Sequence, residues 1–126
     1  IVSLFCRVSI NGGSSYDSTS GNYRTNQDKT GITISNDASG IGGASGDTTG
    51  LSGEVTALNP ANTTGFKLFT VNVSFNSYDG TTNVYSYTTS SGYIANEGSA
   101  VNAIKFEMDS GNIESGEITM FGIVNS

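Results

Sequence analysis

Two kinds of side chain in this sequence could do chemistry: scattered carboxylates, and tyrosines set among Asn, Asp and Ser. Asp17, Asp28, Asp37, Asp47 and Asp79 could supply oxygen ligands to calcium or the acid and base of a glycoside hydrolase, since both tasks need only carboxylates at a suitable separation. Their spacing selects neither. No Asp-x-Asp-x-Asp-Gly run occurs, and each of these residues lies in a stretch rich in Gly, Ser, Thr and Asn, where Asp is ordinary turn chemistry. Glu114 and Glu117 flank Ser115-Gly116 and read as solvent-facing.

The tyrosines suggest something more specific. An aromatic face can stack on the apolar face of a pyranose ring while short polar side chains meet its hydroxyls. On that basis Tyr16, Tyr23, Tyr78 and Tyr93 are stacking candidates, with Asp79, Asn83 and Asn96 as hydroxyl partners, all expected in loops at one end of the domain. The competing reading makes these residues, with Tyr85 and Tyr87, sheet-edge or subunit-interface tyrosines. Residues 38–53 carry glycines at 40, 42, 43, 46, 50 and 53 and invite comparison with a phosphate-binding loop. No Gly-Lys-Ser/Thr follows and Gly40-Ile41-Gly42 lacks a third Gly at the required spacing, so an exposed surface loop is expected.

Several reaction classes are excluded by composition. With no His and one Cys, the sequence cannot build a His-based triad, a thiol–imidazole pair, a CxxC redox centre or a Cys/His zinc site. No catalytic residue, cofactor or metal ligand is assigned. Eleven acidic against five basic residues give a net charge of −6, which opposes binding to nucleic acid and to anionic lipid surfaces. No apolar stretch approaches the ~20 residues of a spanning helix, so no membrane insertion is expected.

The elements that must position these groups are strands. At 126 residues the length suits one domain, and about half of the chain is Ser, Thr, Asn and Gly, the residues of turns and wet strand faces. The apolar residues, 35% of the total, recur with a period of two, and no stripe of period 3.6 lasts three turns. Strands are expected over residues 1–10, with Cys6 on the apolar face of Leu4, Val8 and Ile10, and over 32–35, 54–58, 66–78, 84–88, 104–108 and 118–124. Asp79-Gly80 reads as the turn of a hairpin joining 66–78 to 84–88, while 11–31 and the region of Tyr93 read as loops. The expected core holds Val71, Val73, Phe75, Ile104, Phe106, Ile118, Met120 and Phe121. A single antiparallel β-sandwich over 1–126 follows, with a closed barrel as the alternative. The chain opens on a strand without an initiator Met, which suits a processed product or a piece of a longer chain, with strands, a shaft or an arm preceding Ile1.

The C-terminal third carries a resemblance. Ala100-Val101-Asn102-Ala103-Ile104-Lys105-Phe106, then Ser110-Gly111-Asn112-Ile113 and Ser115-Gly116-Glu117-Ile118-Thr119-Met120-Phe121-Gly122-Ile123, resembles the close of jelly-roll-like β-sandwich domains in tailed-bacteriophage virion proteins. Those domains typically end with an Ala-Ile-x-x-Ile/Phe strand, a Ser-Gly-Asn turn, a Ser/Ala-Gly pair and a Leu-Tyr-Gly-Ile/Val strand. Here Met120-Phe121 replaces Leu-Tyr. The match covers about 25 residues and is diffuse before them, where Asn59-Pro60-Ala61-Asn62-Thr63-Thr64-Gly65-Phe66-Lys67 resembles the segment leading into a strand. The resemblance implies a jelly-roll topology, a place on an extracellular virion and no catalytic residue.

Three functions are open at this point. The leading one is a non-enzymatic outer domain of a homotrimeric tail fibre or spike, attaching to host surface glycans. The second is a capsid decoration protein that binds other virion proteins. The third is a carbohydrate-active domain using two carboxylates in one cleft.

Overall fold

Where apolar and polar residues alternate, a strand can bury one face and wet the other, and the sequence uses this repeatedly. The computed structural model describes residues 4–24, 30–35, 50–78, 82–95, 98–113 and 115–122, with the backbone alone at 76–78, 82–87 and 90. Its strands are β1 (Leu4–Ser9), β2 (Tyr23–Arg24), β3 (Ile32–Thr33), β4 (Leu51–Leu58), β5 (Lys67–Tyr78), β6 (Thr82–Tyr93) and β7 (Ala103–Met108). They form an antiparallel three-stranded sheet, β3-β1-β7, and an antiparallel four-stranded sheet, β2-β6-β5-β4. No helix is found among the described residues, and the protein is an all-β sandwich.

The core lies between the sheets. Cys6, Val8 and Ile32 from one sheet meet Phe69, Val71, Val73, Phe75, Tyr23 and Tyr93 from the other. On β5 the alternation runs as expected: Phe69, Val71, Val73 and Phe75 are buried, while Thr70, Asn72 and Ser74 are exposed. Lys67 occupies the same inward register and is fully buried, its Nζ donating to the Gly65 carbonyl at 3.2 Å. β1 is central in its sheet, so both of its edges are paired, and residues on both of its faces are covered: Phe5 and Ser9 are buried as well as Cys6 and Val8. Burial pushes the Cys6 thiol up to about 12, which keeps it protonated at neutral pH.

Several expectations are corrected. β4 begins at Leu51, inside the expected glycine-rich loop, because Gly53 lets β4 press against β5; a Cβ there would lie 2.3 Å from the Asn72 carbonyl oxygen. The rest of that loop, 36–49, falls outside the described residues. β6 runs to Tyr93 instead of stopping at Thr88, since Thr89 and Ser91 are buried opposite Val71 and Phe69 and hide the apolar alternation. Tyr23 lies in a short strand within the expected 11–31 loop.

The largest correction concerns the C-terminus. Residues 118–122 form no strand; Ile118, Met120 and Phe121 are 63%, 79% and 84% exposed and contribute nothing to the core. No described strand pairs with them, so their alternation has no buried face to fill. Ile104 and Phe106 do pack against the core, but only partly buried.

Candidate functional site

Among the described residues β3 pairs with β1 only at Phe5 and Cys6, which leaves the polar backbone of buried Val8 needing other partners. The loop after β1 supplies them. The Asp17 amide donates to the Val8 carbonyl at 3.0 Å, and the Tyr23 hydroxyl accepts from the Val8 amide at 3.0 Å while donating to the Asp17 carbonyl at 2.8 Å. Tyr23 pairs in register with Tyr93, their ring centroids 5.2 Å apart and tilted by 49°. The Tyr93 hydroxyl donates to Asp17 Oδ2 at 2.8 Å. Asp17 thus ties the loop to both sheets, its backbone amide bonding Val8 of β1 and its carboxylate bonding Tyr93 of β6.

Asp17 is well supplied with donors. Besides Tyr93, Asn22 Nδ2 donates to Oδ2 at 2.7 Å and the Thr19 amide to Oδ1 at 2.8 Å. Partial burial pushes its pKa up, but the bonds from Thr19, Asn22 and Tyr93 outweigh that and hold the carboxyl below its usual range. Burial raises the Tyr23 phenol well above its ordinary value, so it stays a neutral donor.

The loop itself is held by Ser9 and Asn11. The Ser9 hydroxyl accepts from the amides of Asn11 and Gly13, and Asn11 bonds both the amide and the hydroxyl of Ser15. The Gly12 amide reaches Asn102 Oδ1 at 2.8 Å, with Gly12 and Gly13 at φ +70° and +88°, a conformation costly for other residues. This rigid turn presents Tyr16, half-buried, with Lys105 Nζ 5.7 Å from its ring centre. Between the loop and the end of β6 lies an open groove of about 360 Å³ whose polar lining includes Asn11, Ser15, Asp17, Thr19 and Asn22 beside Tyr16.

The structure divides the expected sugar-binding set. Tyr16 lines the groove. Tyr23 and Tyr93 are 2% and 1% exposed, so neither offers a free ring face; their hydroxyls satisfy buried polar groups between the sheets, and this corrects their assignment as stacking residues. Tyr78 and Asn83 sit at the far end of the β5–β6 hairpin, Tyr78 opposite Thr82 and Asn83 opposite Ser77. Lys67, opposite Tyr93, and Tyr78 are the two ends of β5, roughly 36 Å apart at about 3.3 Å per residue. The expected single-ended cluster therefore does not form. Asp79 and Asn96 lie outside the described residues, as do Asp28, Asp37 and Asp47.

Sequence reasoning missed Asn11, Ser15, Asp17, Thr19 and Asn22 as groove residues. The loop's Ser, Asn and Gly content signalled a turn, but not which side chains would remain accessible after the turn had used its own hydrogen bonds. Comparison with family models, curated proteins and solved structures returns no match. The site is therefore read from its geometry. Its lining has the half-buried ring of Tyr16, the buried Tyr93, neutral hydrogen-bonding side chains and a carboxylate held ionised, a combination suited to recognising a hydroxyl-rich ligand. A general acid needs a raised pKa, and the environment of Asp17 moves it the other way.

Proposed function

We propose that this chain is a non-enzymatic structural module on the surface of a tailed-phage virion, the outer domain of a tail fibre or spike, and that it contacts host glycans at the groove beside Tyr16. The observation that carries the glycan reading is the groove's lining: one half-buried ring amid short polar side chains, on a turn whose shape is fixed by Ser9 and Asn11. Preorganised loops of this kind can change specificity without disturbing the sandwich beneath. The resemblance of residues 100–123 supports the virion setting and a jelly-roll connectivity, and the same reading includes assembly as a homotrimer. Affinity per site is expected to be low, with avidity from several copies on one particle.

A glycan array probed with the intact chain tests the proposal. Binding to at least one host-surface glycan, reduced at least tenfold in Tyr16→Ala, is the expected outcome; a blank array, or binding that Tyr16→Ala leaves unchanged, contradicts it. A second reading is favoured by the exposed Ile118, Met120 and Phe121: a capsid decoration protein whose surface binds other virion proteins. It expects a blank array and protein neighbours against the 113–122 segment in cross-linked particles.

A further inference from the structure

The segment after β7 has the composition of a strand but lies outside both sheets. Residues 115–122 expose Ile118, Met120 and Phe121, and among the described residues no backbone group of this segment joins a ladder. β-rich apolar segments in this state tend to acquire a partner edge. A complementary gap exists on the same chain. β7 pairs only with β1, and among the described residues nothing pairs with its other edge. Burial decreases across that sheet, from Cys6 and Val8 in β1, fully buried, to Ile104 and Phe106 in β7, which meet the same core but are only partly covered.

The chain thus carries a strand-like sequence that joins no sheet and, among the described residues, a sheet edge that no strand fills. They do not fill each other within one copy: after Met108 comes the turn at Ser110–Asn112, with Gly111 at φ +77°, and no described residue beyond it pairs with 103–108. Alternation places Ile118 and Met120 on one face of the segment, where they can cover Ile104 and Phe106.

We propose that copies of this chain exchange strands: residues 115–122 of one copy add to the open edge of β7 in a second copy, extending its three-stranded sheet to four. The occupant of the edge is the second copy's own segment, because donor and acceptor are both unfilled on one chain and symmetry makes each copy supply what the next lacks. This rests on the self-association proposed above and names the surface that makes it.

The test uses the intact chain. Sedimentation at micromolar concentration is expected to show an oligomer, with amide exchange at 117–122 slowed at least tenfold relative to the dissociated chain. In a mixture of isotope-labelled and unlabelled copies, contacts between 117–122 and 103–108 are expected across the label boundary. Met120→Asp, at an exposed position, is expected to dissociate the oligomer while leaving amide protection of β1 and β5 intact. A monomer with unprotected 117–122 overturns both the exchange and self-association. An oligomer with that segment unprotected, or contacts found only within single copies, overturns the exchange alone. So does an oligomer that Met120→Asp leaves unchanged.

Discussion

Asp17, Tyr23 and Tyr93 show how a few polar groups join the two sheets. Tyr23 bonds the backbone of Val8 and Asp17, and both Val8 and the tyrosine ring are buried. Tyr23→Phe leaves the Val8 amide without this acceptor, at a cost of about 1–3 kcal/mol, measurable by urea unfolding. Tyr93→Phe is expected to cost less, because Asp17 keeps its bonds from Asn22 and Thr19. The pH dependence has a definite sign. The folded pKa of Asp17 lies below its unfolded value, so the carboxylate's contribution is fully present above the ordinary carboxylate range and is lost as pH falls through the folded pKa. Thermal unfolding from neutral pH to about pH 2 should therefore show an acid loss that is smaller in Asp17→Asn. None of this was readable from residue types. Tyr23 and Tyr93 looked like surface tyrosines because their neighbours in sequence are polar, yet it is pairing across β2 and β6 that buries them.

Among the elements, β5 was readable and β6 only in part. β5 has an uninterrupted apolar face at Phe69, Val71, Val73 and Phe75, so its period is unmistakable. β6 places Thr89 and Ser91 inside, and local hydropathy cannot register a position whose burial is set by the strand opposite. Phe69→Ala is expected to cost about 3–5 kcal/mol in chemical denaturation, as for a fully buried ring. Phe106→Ala should cost less, and Phe121→Ala, at 84% exposure, should fall within about ±0.5 kcal/mol in the dissociated chain. Gly53→Ala is expected to destabilise the β4–β5 pairing by at least about 1–3 kcal/mol, since the added methyl meets backbone that a rotamer change cannot move. The closing strand expected over 118–124 is missing from its described part, 118–122, for a different reason. Its alternation is genuine, but a period-two pattern states only that a strand could form and not which sheet edge would receive it.

For the whole molecule, the sandwich brings the β1–β2 loop, the end of β6 and the start of β7 to one end, and the groove beside Tyr16 lies there. The β5–β6 hairpin carries Tyr78 and Asn83 to the opposite end, so a ligand small enough for the groove cannot touch both sets. The measurement that tests the central claim most directly is a nuclear magnetic resonance titration of the intact, isotope-labelled chain with a panel of monosaccharides and short host-type glycans. Shifts that saturate and concentrate at Asn11, Ser15, Tyr16, Thr19 and Asn22, with the β5–β6 hairpin unchanged, are the predicted result; shifts confined to the hairpin end, or none at millimolar sugar, would contradict it.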